Sequence, residues 1–201
     1  MLKRVGRPRC GIEAEVERLR EIFRADYLHQ LPQVEEAMGC QTMALVQQVN
    51  AACDSVADLA AATEEEFLAH PDADIITSFP GLSAVSGARV LAEVGDDRER
   101  FADARAIKAY AGAAPVTRAS GRSHVVVART VKNQRLAAAG YMWAFASPRV
   151  HYDRRRAGGE RHTAALRNLF NKLLGCLYHC LQNRTKYDAG QAFATSLALT
   201  A

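Results

Sequence analysis

The stretch 74-DIITSFPGLSAVSGARVLAEVGD-96 decides the architecture. Apolar residues run into Pro80-Gly81-Leu82-Ser83, and the next residues, Ala84–Val94, read as a short helix stopped by Gly95. Two apolar segments around such a turn are the pattern of a helix-hairpin-helix. Gly81 would let the backbone approach a phosphate, and the following helix start, opened by Ser83, would offer free N–H groups to the anion. A tight interhelical turn without any ligand fits the same residues, and both readings stay open here.

Working outward, residues 103–111 predict another short helix ended by Gly112. Residues 115–121 read as irregular, and the β-branched run His124–Val127 reads as a strand pairing with the stretch around Pro115–Thr117. Lys132 to Ala146 forms an alanine-rich helix, 151–162 a highly charged loop or short helix, and Thr163 to Asn183 a helix with Leu166, Leu169, Phe170, Leu173, Leu174 and Leu177 in the core. Upstream, Ile12, Val16, Leu19 and Phe23 place an amphipathic helix over 11–31, interrupted at Pro32. A second helix over about 42–68 carries Leu45, Val49, Ala52, Val56 and Leu59 on one stripe, which an antiparallel pair or a dimerising coiled coil would use.

The expected fold is thus mainly α, a helical coiled-coil arm followed by a helix-hairpin-helix-containing domain with a short β-hairpin. Residues 1–10 read as a basic linker remnant, 11–72 as the helical dimerisation segment, 73–185 as the second domain and 186–201 as a flexible tail. The arm stretch Gly6-Arg7-Pro8-Arg9 resembles minor-groove-binding arms, although a linker is the plainer reading.

Composition bounds the function. Hydrophobic residues make up 49% of 201, enough for a sizeable core. Lys and Arg outnumber Asp and Glu by 26 to 22, with the excess concentrated in the C-terminal half, which suits a polyanion. Five cysteines without regular spacing or a secretory signal read as reduced thiols in a cytoplasmic protein. Cys176, His179 and Cys180 lack further ligands at matching spacing, so core residues are the plainer reading and no metal is assigned to this chain. No apolar run reaches membrane-spanning length.

The chemistry concentrates in 113-AAPVTRASGRSHV-125. Ser120 lies next to Gly121, between Arg118 and Arg122, with Arg129, Lys132 and Arg135 downstream. A serine hydroxyl needs a base, or strong stabilisation of the charge that builds on its target. Guanidinium groups without a neighbouring carboxylate suit a phosphodiester better than an acyl group, because they hold non-bridging oxygens. From these residues alone, a turn with exposed arginines is the plainer reading.

The run 78–123, with PGL, GARVLAEVGD, RFADARAIKAYAG and APVTRASG, and then KNQRL and LRNLFNKLLGCL, resembles the C-terminal domain of the insertion sequence 110/116/902 transposase family over about residues 75–183. Residues 11–70 resemble the helical segment preceding that domain. The resemblance implies a recombinase that cuts and rejoins DNA under the guidance of a structured RNA, with Ser120 as the nucleophile that forms a phosphoserine link. It also implies a RuvC-like domain whose four acidic residues bind Mg, and a site shared between subunits of a homo-oligomer. Arg118, Arg122 and Arg129 would then contact phosphate, Gly121 would allow close approach, Gly81 and Ser83 would form the hairpin turn, and Lys132, Asn133 and Arg135 would open the next helix toward DNA or RNA.

The sequence departs from that pattern. No strand-plus-carboxylate arrangement of a RuvC-like sheet occurs in it, and Glu93, Asp96, Asp97 and Asp103 match helical-hairpin positions instead. The link between Ala146-Ser147 and His151-Tyr152 is shorter than the family pattern. The expectation is a truncated copy, and the alternative is a catalytically inactive nucleic-acid-binding fragment that dimerises with full-length transposase.

Overall fold

A computed structural model describes residues 11–26 and 28–194. The basic arm at 1–10, with Arg7 and Arg9, and the end of the expected tail at 195–201 lie outside the described residues. The elements are α1 (Ile12–Arg24), α2 (Pro32–Leu68), α3 (Ala73–Thr77), α4 (Ala84–Val94), α5 (Ala104–Tyr110), β1 (Val116–Ser120), β2 (Ser123–Val127), α6 (Gln134–Ala146), α7 (Val150–Ala157), α8 (His162–Asn183) and α9 (Ala189–Ala194). The chain is mainly helical with one two-stranded antiparallel sheet. Among the described residues, no helix is long and apolar enough to cross a membrane.

The chain divides into two compact units, 1–61 and 62–201. In the first, α1 ends at Arg24, before the limit its periodicity predicts, and α2 begins at Pro32 and not near residue 42. Proline suits a first helical position, where its missing N–H has no partner to lose. Glu35, in the first turn, reaches back to accept the Gln30 N–H at 2.8 Å, and that bond lowers its carboxyl below the usual range. Gly39 lies inside this helix without ending it. The helix runs 37 residues, about 55 Å at 1.5 Å per residue.

The second unit starts inside the last turns of α2, and Phe67 is buried in its core. This boundary precedes the one placed at His70–Asp72, because the Phe67 ring anchors those last turns among the core residues of the second unit. The centre is α8, which buries Leu166, Leu169, Phe170, Leu173, Leu174, Leu177 and Leu181 against α3, α5, α6 and α7. Trp143 of α6 is 1% exposed and meets Phe79 and Phe170 edge-on. At Gly140 a Cβ would lie 2.0 Å from Phe170 Cζ, so only glycine lets that ring lie against α6. Within the segment read as a tail, the Tyr187 ring lies 4.5 Å from that of Phe79. The carboxylate of Asp72, 5% exposed, is paired with Arg98.

Candidate nucleic-acid interface

The stretch 116–120 is a strand, where the sequence suggests irregular backbone. Its pairing with β2 includes the expected stretch, with Val116 opposite Val127 and Thr117 opposite Val126. The ladder continues through Arg118–Val125 and Ala119–His124 to Ser120–Ser123, leaving Gly121 and Arg122 as a two-residue loop. Gly121 has φ +53°, as the first central residue of a primed hairpin turn requires. A Cβ there would meet nothing within 4 Å, so the tip stands open.

Side-chain alternation sorts the hairpin. Arg118 and Ser120 share one face with Ser123 and Val125, while Thr117, Ala119, His124 and Val126 share the other. Only the base pair Val116 and Val127 is partly covered. Arg118, Ser120 and Arg122 are exposed, and no other described residue forms a hydrogen bond or ion pair with their side chains. The hairpin therefore aligns a hydroxyl and a guanidinium on one face and adds a second guanidinium at the turn. His124, the imidazole of the hairpin, lies on the other face, so the hairpin offers Ser120 no base of its own.

The residues leading into α6 are tied into the protein. Asn133 caps α6 by accepting the Leu136 N–H at 2.9 Å, and its amide donates to Glu93 Oε2 and to the Tyr110 hydroxyl, both at 2.6 Å. Arg135, whose side chain is largely exposed, lies 3.8 Å from Glu93. The Lys132 chain crosses Gly112, where a Cβ would stand 2.2 Å from Lys132 Cδ. Arg129 is half-buried, with an Nε enclosed and without a hydrogen-bond partner.

Gly81 and Ser83 sit elsewhere. Gly81 has φ +83°, and a Cβ there would lie 2.9 Å from the Ala146 carbonyl carbon and the Ser147 hydroxyl. The adjacent Pro80 carbonyl accepts the Trp143 indole N–H at 3.0 Å. Gly81 thus makes room for the protein's own helix end. Ser83 caps α4 in a reciprocal pair with Ser86, whose hydroxyl accepts the Ser83 N–H at 2.7 Å. The turn packs at the C-terminal end of α6, whereas Lys132, Asn133 and Arg135 stand at its start, so the length of a 13-residue helix, about 20 Å, separates the two groups.

The sequence around the hairpin carries charge of one sign. From Asp103 to Asp153 no Asp or Glu intervenes, while Arg105, Lys108, Arg118, Arg122, Arg129, Lys132, Arg135 and Arg149 do. Overall composition hides this run, because acidic helices elsewhere balance it. Burial raises the thiols of Cys176 and Cys180 above their ordinary values, which disfavours the thiolates that metals and electrophiles need. Among the described residues no group of three or more His, Cys, Asp or Glu could hold a metal.

The domain is helical and presents an open, acid-free hairpin with an exposed serine and exposed arginines. Residues 73–158, from α3 through α7, match the family described as Transposase IS116/IS110/IS902, and the chain belongs to that family. It is 55% identical over 206 residues to the protein assigned as the mini-circle transposase for IS117 of Streptomyces coelicolor, covering 100% of this chain and 50% of that relative. It is also 35% identical to a 42 kDa protein of insertion element IS900 of Mycobacterium paratuberculosis, over 76% of this chain and 40% of the relative. A 43.6 kDa protein of insertion element IS110 of Streptomyces coelicolor is 36% identical over 65% of this chain and 34% of its own length. The chain spans half or less of the length of these relatives.

Proposed function

We propose that this chain is the serine-bearing part of a DNA transposase, in which Ser120 attacks a phosphodiester and Arg118 and Arg122 hold its non-bridging oxygens. The carrying observation is the β1–β2 hairpin, which sets Ser120 and Arg118 on one open face with Arg122 at the turn. Attack by Ser120 Oγ forms an O–P bond and breaks the bond from phosphorus to the leaving 3′ or 5′ oxygen. The hydroxyl proton goes to a base, and the phosphoserine link keeps the energy of the broken bond for rejoining. The arginines neutralise charge on the equatorial oxygens as it grows. The hairpin carries no base on that face, so the proton acceptor would lie outside the hairpin. A RuvC-like domain holding Mg suits that role, with a structured RNA guiding the DNA.

The α2 stripe supports self-association. Leu45, Val49, Ala52 and Val56 recur at alternating steps of four and three residues, and Leu45 and Val56 are 53% and 66% exposed. Pairing two copies would place two hairpins in one assembly, as a site shared between subunits needs.

The test is a trapping assay. The chain is mixed with labelled DNA carrying the element's ends, element RNA, a RuvC-like domain and Mg, and SDS-resistant adducts are counted. The adduct is expected with wild type and absent with Ser120→Ala. Binding without any adduct would leave the chain a nucleic-acid-binding module.

A further inference from the structure

A cavity of about 250 Å³ opens beside the base of the hairpin, between the end of α5, Ala128 after β2, and helices α6 and α8. Both charged residues that line it, Lys132 and Arg167, are cationic. Arg167 is half-buried and its Nε is enclosed without a hydrogen-bond partner, as is that of Arg129, the residue after Ala128. Among the described residues no carboxylate lines the cavity beside Lys132 and Arg167, so their charge favours an anion there. Two glycines shape the walls. Gly112 alone lets the Lys132 chain lie along one side, and Gly140 alone lets Phe170 form the floor. Tyr141, 44% exposed, stands at the wall with its hydroxyl 3.4 Å from His162 Nε2.

We propose that this cavity takes one phosphodiester group of a nucleic-acid strand, held by Lys132 and Arg167. The volume is several times the ~30 Å³ share of a water molecule, room for a group larger than a bound water beside apolar residues such as Leu166 and Phe170. The inference rests on the nucleic-acid reading above and adds to it Arg167 and a defined binding point beyond the hairpin tip. Arg167 escapes sequence reading because it lies between Leu166 and Phe170 in a core helix, where only the fold shows that its end opens into a cavity.

The experiment is fluorescence anisotropy of the full chain with labelled oligo(dT) and, in parallel, oligo(U), across a salt series. Arg167→Ala is expected to weaken binding roughly 3- to 10-fold and to lower the slope of log K against log salt by about 0.7, the loss of one phosphate contact on a single strand. Ala137→Leu narrows the cavity without changing charge and is expected to weaken binding as well, with thermal unfolding confirming that the variant folds. Arg20→Ala on α1 changes charge equally and is expected to bind like wild type. The tighter of the two oligonucleotides identifies the strand as DNA or RNA. Wild-type affinity in both Arg167→Ala and Ala137→Leu, or an equal loss in Arg20→Ala, overturns the site. Failure of wild type to bind either strand overturns the nucleic-acid reading and the site with it.

Discussion

Two helices of this chain carry similar apolar periodicity and meet different fates. In α8 the stripe from Leu166 to Leu181 is buried by neighbouring helices of its own unit. In α2 the stripe from Leu45 to Val56 stays exposed. Periodicity says which face seeks cover, and composition hints at the source. Helix α8 is rich in leucine and meets a tryptophan and a glycine-lined face, whereas α2 spaces its larger residues among alanines and glutamines. The first stripe makes a core within one chain, and the second is the face on which the proposed pairing of two copies rests.

Substitution should separate the two. Trp143→Ala empties the centre of the second unit and is expected to cost about 3–5 kcal/mol in urea unfolding. Val56→Glu in α2 should leave that transition within about 0.5 kcal/mol, as for other exposed positions, and instead shift the mass measured by light scattering toward the monomer. An equal loss of stability from both would erase the distinction.

Glycines sharpen it. Gly140→Ala drives a methyl into Phe170 and should destabilise by about 1–3 kcal/mol. Gly39→Ala meets nothing within 4 Å and should raise helicity by circular dichroism, with a gain of about 0.5–1 kcal/mol. Asn133→Ala removes a helix cap and leaves Glu93 and Tyr110 without their amide donor, for an expected cost of about 1–2 kcal/mol.

The smallest effect is in pH. Burial, then the nearby charges of Lys172, Arg155 and Arg154, lowers the pKa of His151 below its ordinary value. The unfolded chain then binds the proton more readily. Stability is full above the unfolded pKa of about 6.5 and falls as pH drops through it toward the folded value. His151→Gln should flatten that part of the stability–pH curve. Tyr187, pushed up to about 12 chiefly by burial, should give an alkaline absorbance step near that pH, and Tyr187→Phe should remove it.

Much of this was legible in the sequence, for local reasons. Ser83 and Gly95 bracket α4 because capping and left-handed backbone are properties of single residues. The pairing of β2 with Val116 and Thr117 was legible from its β-branched residues. The strand 116–120 is harder to see, because V-T-R-A-S has water on both faces and so shows no apolar–polar alternation. The unbroken course of α2 is obscured by Pro32 and Gly39, each tolerated where it stands. The site divides the same way. The grouping of Arg118, Ser120, Gly121 and Arg122 is a matter of adjacent residues. That Gly81 accommodates Ala146 and Ser147, and that Arg167 reaches a cavity, depends on contacts between distant segments.

The account stands on Ser120, and the most direct measurement is mass spectrometry of the trapped protein–DNA adduct after nuclease and protease digestion. The prediction is a nucleotide mass on the peptide containing Ser120, with no adduct formed by Ser120→Ala under the same conditions. A nucleotide mapped to any other residue, or an undiminished adduct in Ser120→Ala, would contradict it.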